Sequence, residues 1–249
     1  MSEGHTGKDY VEAITALPSD RRARAAFQNL VLKTASPGAV VFDFGAGPGL
    51  DARFYAEHGL TIEAYDVDPA MCGHFSVHCR EFIQAGKIKV HGGAYRDFMA
   101  RTTVRGDRGV DIVTSNFAPL NLIDDLRDLF AKFAALTGPD GIVLASVLSP
   151  YFIGDLKYGW WWRNAGSLWR KGRYSLPGDH GPIVRRRLAD FAAQSSPHFT
   201  LERVFRGLPA RGRRGADGID MTRNGRFAWL HVTLCRYMIL RFRKRTKGN

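Results

Sequence analysis

Cysteine is scarce in this chain: three residues, unevenly spaced, among 249. So small and odd a number excludes a disulfide framework and fits a reducing, cytoplasmic location. A long apolar run is also missing. The longest, Phe227 to Leu240, spans 14 residues and includes His231 and Arg236. A helix that crosses a bilayer needs about 20 predominantly apolar residues, so no transmembrane segment is expected. Met1 to Tyr10 is polar and has no signal-peptide pattern. No internal repeat is visible, and a hydrophobic content of 45% excludes disorder as the default. What the last hundred residues lack is acid. Residues 151–249 carry 21 Lys+Arg against 6 Asp+Glu (net +15), residues 1–150 carry 15 against 18 (net −3), and the two sum to the overall +12. That asymmetry points to an anionic partner (nucleic acid, an anionic membrane surface or a phosphorylated substrate) or to a solvated arginine-rich face.

Against these absences stands one dense motif. Val41 to Leu50 reads Val-Phe-Asp-Phe-Gly-Ala-Gly-Pro-Gly-Leu. A strand-type run enters three alternate glycines, Gly45, Gly47 and Gly49, and then a helix-type pattern. Glycine adopts positive φ and lets a ligand approach the backbone with no Cβ in the way. A strand ending in such a turn and opening a helix builds a pocket at the carboxyl edge of a parallel sheet. The dinucleotide fingerprint would require Gly or Ala five positions after its first glycine, where this chain has Leu50. A second strand, Thr61 to Tyr65, ends in Asp66-Val67-Asp68-Pro69, and Asp66 lies 21 residues after Gly45. There a βαβ unit delivers an acid to a ribose. Asp68 is expected to cap the next helix, with Pro69 at its first position.

Acid-x-Gly-x-Gly-x-Gly followed by this Asp resembles the class I S-adenosylmethionine (SAM) methyltransferases. The resemblance covers roughly residues 10–149 with specific motifs. It implies that Asp43 helps hold the ammonium of SAM, that Gly45, Ala46, Gly47 and Gly49 cradle the cofactor, that Asp66 binds the ribose hydroxyls, and that Val67 and its successors line the adenine. The family's usual Asp after the third strand is Gly93 here, which leaves the adenine to the backbone around Ala94 and Tyr95 or to Asp97. Ser115 and Asn116, at the end of the fourth strand, are expected to touch the methionine end. Ser115-Asn-Phe-Ala-Pro119 departs from the Asn-Pro-Pro-aromatic order of enzymes that methylate base amines, so that activity is not carried over.

The rest of the chain alternates strands and helices. Helices are expected over residues 10–34, Pro69 to Gln84, Leu120 to Leu136 and Val184 to Gln194. Strands are expected at Ile88 to His91, Val110 to Ser115, Ile142 to Leu148, Phe199 to Arg206 and, antiparallel in the edge region, Phe227 to Arg241. Thr137 to Gly141 reads as a turn cluster, and Gly207 to Gly225 as a long loop. This alternation implies a single doubly wound Rossmann-like α/β domain: a seven-stranded sheet with helices on both faces and an insertion after the fifth strand. Its expected parts are N-terminal helices (1–36), a SAM-binding core (37–149), an inserted substrate or lid segment (150–182), and C-terminal strands with a basic tail (183–249).

Cys72, His74, His78 and Cys79 superficially suggest a metal set. At 100° per residue the cysteines share one helix face and the histidines another, so one ion cannot collect all four and no metal site is expected. For a protonated acceptor the base candidates are His180, in the insertion, and Tyr151. Trp160, Trp161 and Trp162 cannot all face one core. They suit a lid over an apolar acceptor, a stacking platform or a membrane-interface anchor. The expected function is methyl transfer to an oxygen or nitrogen of a small, apolar or anionic metabolite. RNA methylation, or a SAM-binding module acting through its basic surface, are the alternatives.

Overall fold

The computed structural model describes residues 18–101, 109–178, 181–206 and 235–246. Its elements run α1 (Pro18–Thr34), β1 (Val40–Phe44), α2 (Leu50–Glu57), β2 (Thr61–Asp66), α3 (Pro69–His78), α4 (Arg80–Gln84), β3 (Ile88–Gly92), α5 (Tyr95–Ala100) and β4 (Val110–Ser115). There follow α6 (Arg127–Leu136), β5 (Thr137–Leu148), α7 (Gly159–Lys171), the hairpin β6 (Arg173–Leu176) and β7 (Ile183–Arg186), α8 (Leu188–Ser195), β8 (Phe199–Arg206) and β9 (Tyr237–Lys244).

Alternation along the strands decides the layers. Val41, Ile112, Ile142 and Leu144 pack to one face with Phe27, Tyr55 and Phe75 from the helices. Phe42, Phe44, Val113 and Val143 pack to the other with Phe98, Phe130 and Phe133. Successive strand side chains point to opposite faces, so one apolar run feeds two cores. Each such side chain contributes roughly 1.5–3 kcal/mol on burial. The seven strands order β3-β2-β1-β4-β5-β9-β8, parallel through β5, with β9 antiparallel to both β5 and β8. The doubly wound seven-stranded sheet is therefore present, with β6–β7 as a separate hairpin.

Several boundaries differ from expectation for tertiary reasons. The helix expected over Leu120 to Leu136 splits into a 3-10 turn at Pro119–Leu122 and α6. Asn121 Nδ2 donates to Val184 O (2.7 Å) and its Oδ1 accepts from Leu148 N (3.0 Å), which anchors the turn away from the helix axis. The Thr137 to Gly141 segment is not a turn but the start of β5: Thr137 pairs with Val110, and a register shift absorbs the irregularity. Residues 184–194 are part strand, part helix, because Val184 to Arg186 complete the hairpin and carry the insertion past residue 182. The helix expected over Pro69 to Gln84 breaks at Cys79, whose Sγ approaches Gly49 O (3.5 Å). The described part of the last strand is Tyr237–Lys244, and β8 rather than β9 forms the edge. Gly207 to Gly225 and residues 227–234 lie outside the described residues.

The insertion is fastened by Arg186, the largest fully buried side chain among the described residues. Its guanidinium donates to the carbonyls of Ile123, Asp124 (2.7 Å) and Leu120 (3.4 Å), and Nε lies 3.4 Å from Asp190 Oδ2. Arg186→Met keeps much of the bulk and strands those acceptors. We expect a loss of about 3 kcal/mol, read as a lower urea midpoint; an unchanged midpoint would show that the carbonyls find other donors.

Candidate functional site

The carboxyl edge of the parallel strands opens into a cleft of about 330 Å³, within the range of small-molecule sites. Its lining includes Gly45 and Gly47 from the glycine turn, Tyr65 to Asp68 and Met71 from the β2 exit, Tyr95, and Asn116, Phe117, Pro119, Leu122 and Ile123 from the β4 exit.

The glycine turn needs its glycines for three separate reasons. All three have positive φ: 71° at Gly45, 54° at Gly47 and 85° at Gly49. A Cβ at Gly45 would stand 2.5 Å from Pro119 Cγ, and one at Gly49 would stand 2.8 Å from the Phe75 ring. These two glycines admit protein neighbours. At Gly47 nothing comes within 4 Å, and that residue lines the cleft. Gly47 N donates to Asp66 Oδ2 (2.7 Å), while Asp68 N donates to Asp66 Oδ1 (2.9 Å). Asp66, which lines the cleft, is thus fixed by these two backbone donors. Burial outweighs those donors and raises its pKa above the ordinary carboxylate value. Asp68 caps α3 by accepting from Ala70 N (2.8 Å), as expected.

Beyond Asp66 the wall is apolar or aromatic: Val67, 55% exposed, with Met71, Tyr65 and Tyr95. The Tyr65 hydroxyl donates to Gly93 O (2.9 Å). Burial raises the phenols of Tyr65 and Tyr95 to about 12, so both stay protonated at neutral pH.

At the opposite end Phe117 and Ala118 hold positive φ, 59° and 71°. For residues with a Cβ this costs of order 1–3 kcal/mol each. Phe117 N donates to Asn116 Oδ1 (3.0 Å), Ala118 N donates to Ser146 O (2.9 Å), and the Arg24 guanidinium sits 4.5 Å over the Phe117 ring. Buried Asp51 ties this corner together, accepting from Arg24, from Gln28 Nε2 (2.8 Å) and from Asn116 Nδ2 (3.0 Å).

The structure brings Gly45, Gly47, Asp66, Val67, Tyr95 and Asn116 to the cleft. Ala46, Gly49, Ala94 and Ser115 shape its backbone without lining it. Asp43 sits behind the turn, 2% exposed, with Oδ1 accepting from Thr114 Oγ1 (2.8 Å) and Oδ2 unpartnered. Asp97 is exposed and outside the lining. The Tyr151 hydroxyl accepts from Arg187 Nε (3.1 Å), also outside the lining. His180 lies outside the described residues. Sequence reasoning missed Arg24, Asp51 and Leu122. For Phe117, the displaced proline order at this point was the available signal. Among the described residues no cluster of three His, Cys, Asp or Glu side chains is arranged to hold a metal ion.

Residues 13–189 match the model of a family described as a methyltransferase domain. No curated protein matches the chain. Among solved structures, an S-adenosylmethionine-dependent methyltransferase from Mesorhizobium loti superposes with TM-score 0.60 at 15% identity, covering 88% of this chain and 97% of that one. A TehB-like SAM-dependent methyltransferase from Corynebacterium glutamicum gives 0.56 at 14%, covering 96% and 98%. The Burkholderia thailandensis 1,6-didemethyltoxoflavin-N1-methyltransferase, solved with its acceptor and S-adenosylhomocysteine, gives 0.56 at 17%, covering 98% and 92%. At these identities the likeness concerns the fold.

Asp43 yields a pH prediction. Burial first, then the Asp51 charge, raises its pKa from 3.8 to about 7. Between those values the folded ligand-free chain keeps a proton that the unfolded chain has released. Stability therefore falls as pH rises across that window, by up to about 4 kcal/mol. Asp43→Asn should remove that decline from denaturation midpoints measured at pH 4.5 to 7.5, a range set by the roughly 4-to-7 window. Parallel profiles in the two proteins would contradict it.

Proposed function

The chain belongs to the methyltransferase-domain family, among the class I S-adenosylmethionine-dependent methyltransferases, and from this we propose that it methylates an oxygen or nitrogen of a small metabolite, apolar or anionic. The observation that carries the reading is Asp66, held by two backbone donors beside the open cradle at Gly47. That pair fits the cofactor: a carboxylate for two adjacent ribose hydroxyls, and a glycine where a Cβ would intrude. Val67, Met71 and Tyr95 are assigned to the adenine, while Asn116 and the glycine turn take the methionine end. Asp43 acts through its charge from behind the turn. An arriving ammonium favours the ionised carboxylate that burial disfavours. Bound there, SAM supplies an electrophilic methyl group on a sulfonium.

The chain's own task is alignment, since in-line displacement gains most from fixed geometry. Phe117, Leu122 and Ile123 form the apolar wall assigned to the acceptor. Their character favours a compact apolar body, and one structural neighbour is named for N1-methylation of 1,6-didemethyltoxoflavin. The ionisable groups of the described lining are Tyr65, Asp66, Asp68 and Tyr95. Two acids belong to the ribose side and both phenols are protonated. A lone-pair or already ionised acceptor suits this end without a base. For a protonated acceptor His180 is the first candidate; the Tyr151 hydroxyl, engaged by Arg187, is the second.

Calorimetric titration with S-adenosylhomocysteine tests the reading. Saturable binding is expected, weakened about 10- to 100-fold in Asp66→Ala through loss of charge-assisted hydrogen bonds. No binding by the unaltered chain would overturn the cofactor assignment. Equal affinities would overturn the role of Asp66.

A further inference from the structure

The inserted helix α7 presents an unusual face to solvent. Apart from its last residue, Lys171, its exposed positions are Gly159, Trp162, Arg163, Gly166, Trp169 and Arg170. At 100° per residue these fall within one sector about 120° wide. Trp162 and Trp169 stand along one side of it, Arg163 and Arg170 along the other, with the two glycines between. The indoles are 63% and 77% exposed. Just before the helix, Ile153 and Tyr158 are also exposed, at 52% and 45%. Among the described residues, the remaining exposed large apolar side chains are Val67 and Leu122, which line the cleft, and Val77. Among the described residues, exposed large apolar side chains outside the site therefore fall on this segment, Val77 excepted. From Leu156 to Gly178 the sequence has five cations (Lys157, Arg163, Arg170, Lys171 and Arg173) and no carboxylate.

The face is built rather than left over. Trp160 turns inward, against Tyr174 and under Arg185. Trp161 donates its indole N–H to Pro150 O (3.1 Å). Trp162 satisfies its own N–H at Leu156 O (2.9 Å), so the part of its ring that faces water is purely apolar. A second copy of this chain is a poor occupant, because a symmetric contact would oppose cations with cations. For a stacked nucleobase Trp169 offers one face only, since Arg187 lies 5.9 Å over the other, and Trp162 is already met by Trp161 edge to face at 5.0 Å. An anionic bilayer surface needs no free ring face. Indoles settle at the headgroup boundary, flanking cations meet lipid phosphates, and an amphipathic helix lies in that plane.

We infer that α7 docks the protein on anionic membrane surfaces, with Trp162 and Trp169 inserted at the interface and Arg163 and Arg170 on the headgroups. This does not depend on the acceptor or on methyl transfer. The full chain should sediment with phosphatidylserine-containing vesicles, bind phosphatidylcholine-only vesicles about tenfold or more weakly, and be released by salt. Brominated lipid should quench its tryptophan emission. The exposed pair can be removed without opening the core, so Trp162→Ala/Trp169→Ala should keep its circular dichroism and melting profile while losing roughly tenfold or more in vesicle affinity. Vesicle binding equal to the unaltered chain would assign any attraction to other basic segments and overturn the proposal. So would absence of vesicle binding, or salt-sensitive binding of single-stranded RNA that the double substitution abolishes while vesicles are ignored.

Discussion

A single buried carboxylate holds the functional edge of this protein together. Asp51 stands in the first turn of α2 and gathers donors from α1 and from the β4 exit. An ionised side chain so far from water persists only where partners replace its hydration. Arg24 supplies the charge, and Gln28 and Asn116 supply the remaining bonds. By engaging Asn116 the same carboxylate fixes the residue whose Oδ1 accepts from Phe117 N. The left-handed backbone at Phe117 and Ala118 is held from both sides, by that bond and by Arg24 over the Phe117 ring. Strain at the cleft wall is thus offset by a polar network one layer behind it.

The two acids flanking the glycine turn show how environment separates similar groups. Asp66 is held by backbone donors at the rim of the cleft, and Asp43 is sealed behind the turn with one oxygen unpartnered. Both have raised pKa values because burial dominates in each, yet only Asp66 lines the cleft. A carboxyl can therefore lie directly behind a cleft without being part of the cleft's surface.

What the sequence discloses follows from how local each cause is. Gly45, Gly47, Gly49 and Asp66 were legible because positive φ and βαβ spacing are properties of short segments. The apolar run of the strand at Ile142 to Leu148 was legible for the same reason. Thr137 to Gly141 reads as a turn from its composition, but pairing with Val110, far away in sequence, makes it strand. Leu120 to Leu136 has one continuous helical period, and a side chain at Asn121 that reaches two other elements breaks it. Arg24 and Asp51 are ordinary helix charges until the fold brings them together across 27 positions. Arg186 is one of three consecutive arginines, and nothing in that run says that the first two are buried and the third is not.

Arg186 also bears on how this chain could change over generations. Its fork clasps the carbonyls of the segment that ends the cleft wall at Ile123, although the residue itself belongs to the inserted hairpin. The insertion and the wall are therefore one mechanical unit. A recombinant that exchanged the hairpin for a relative's would leave the wall with empty acceptors unless it imported an equivalent cation. Diversification of this wall should accordingly proceed by substitutions around this clasp more readily than by wholesale exchange of the insert.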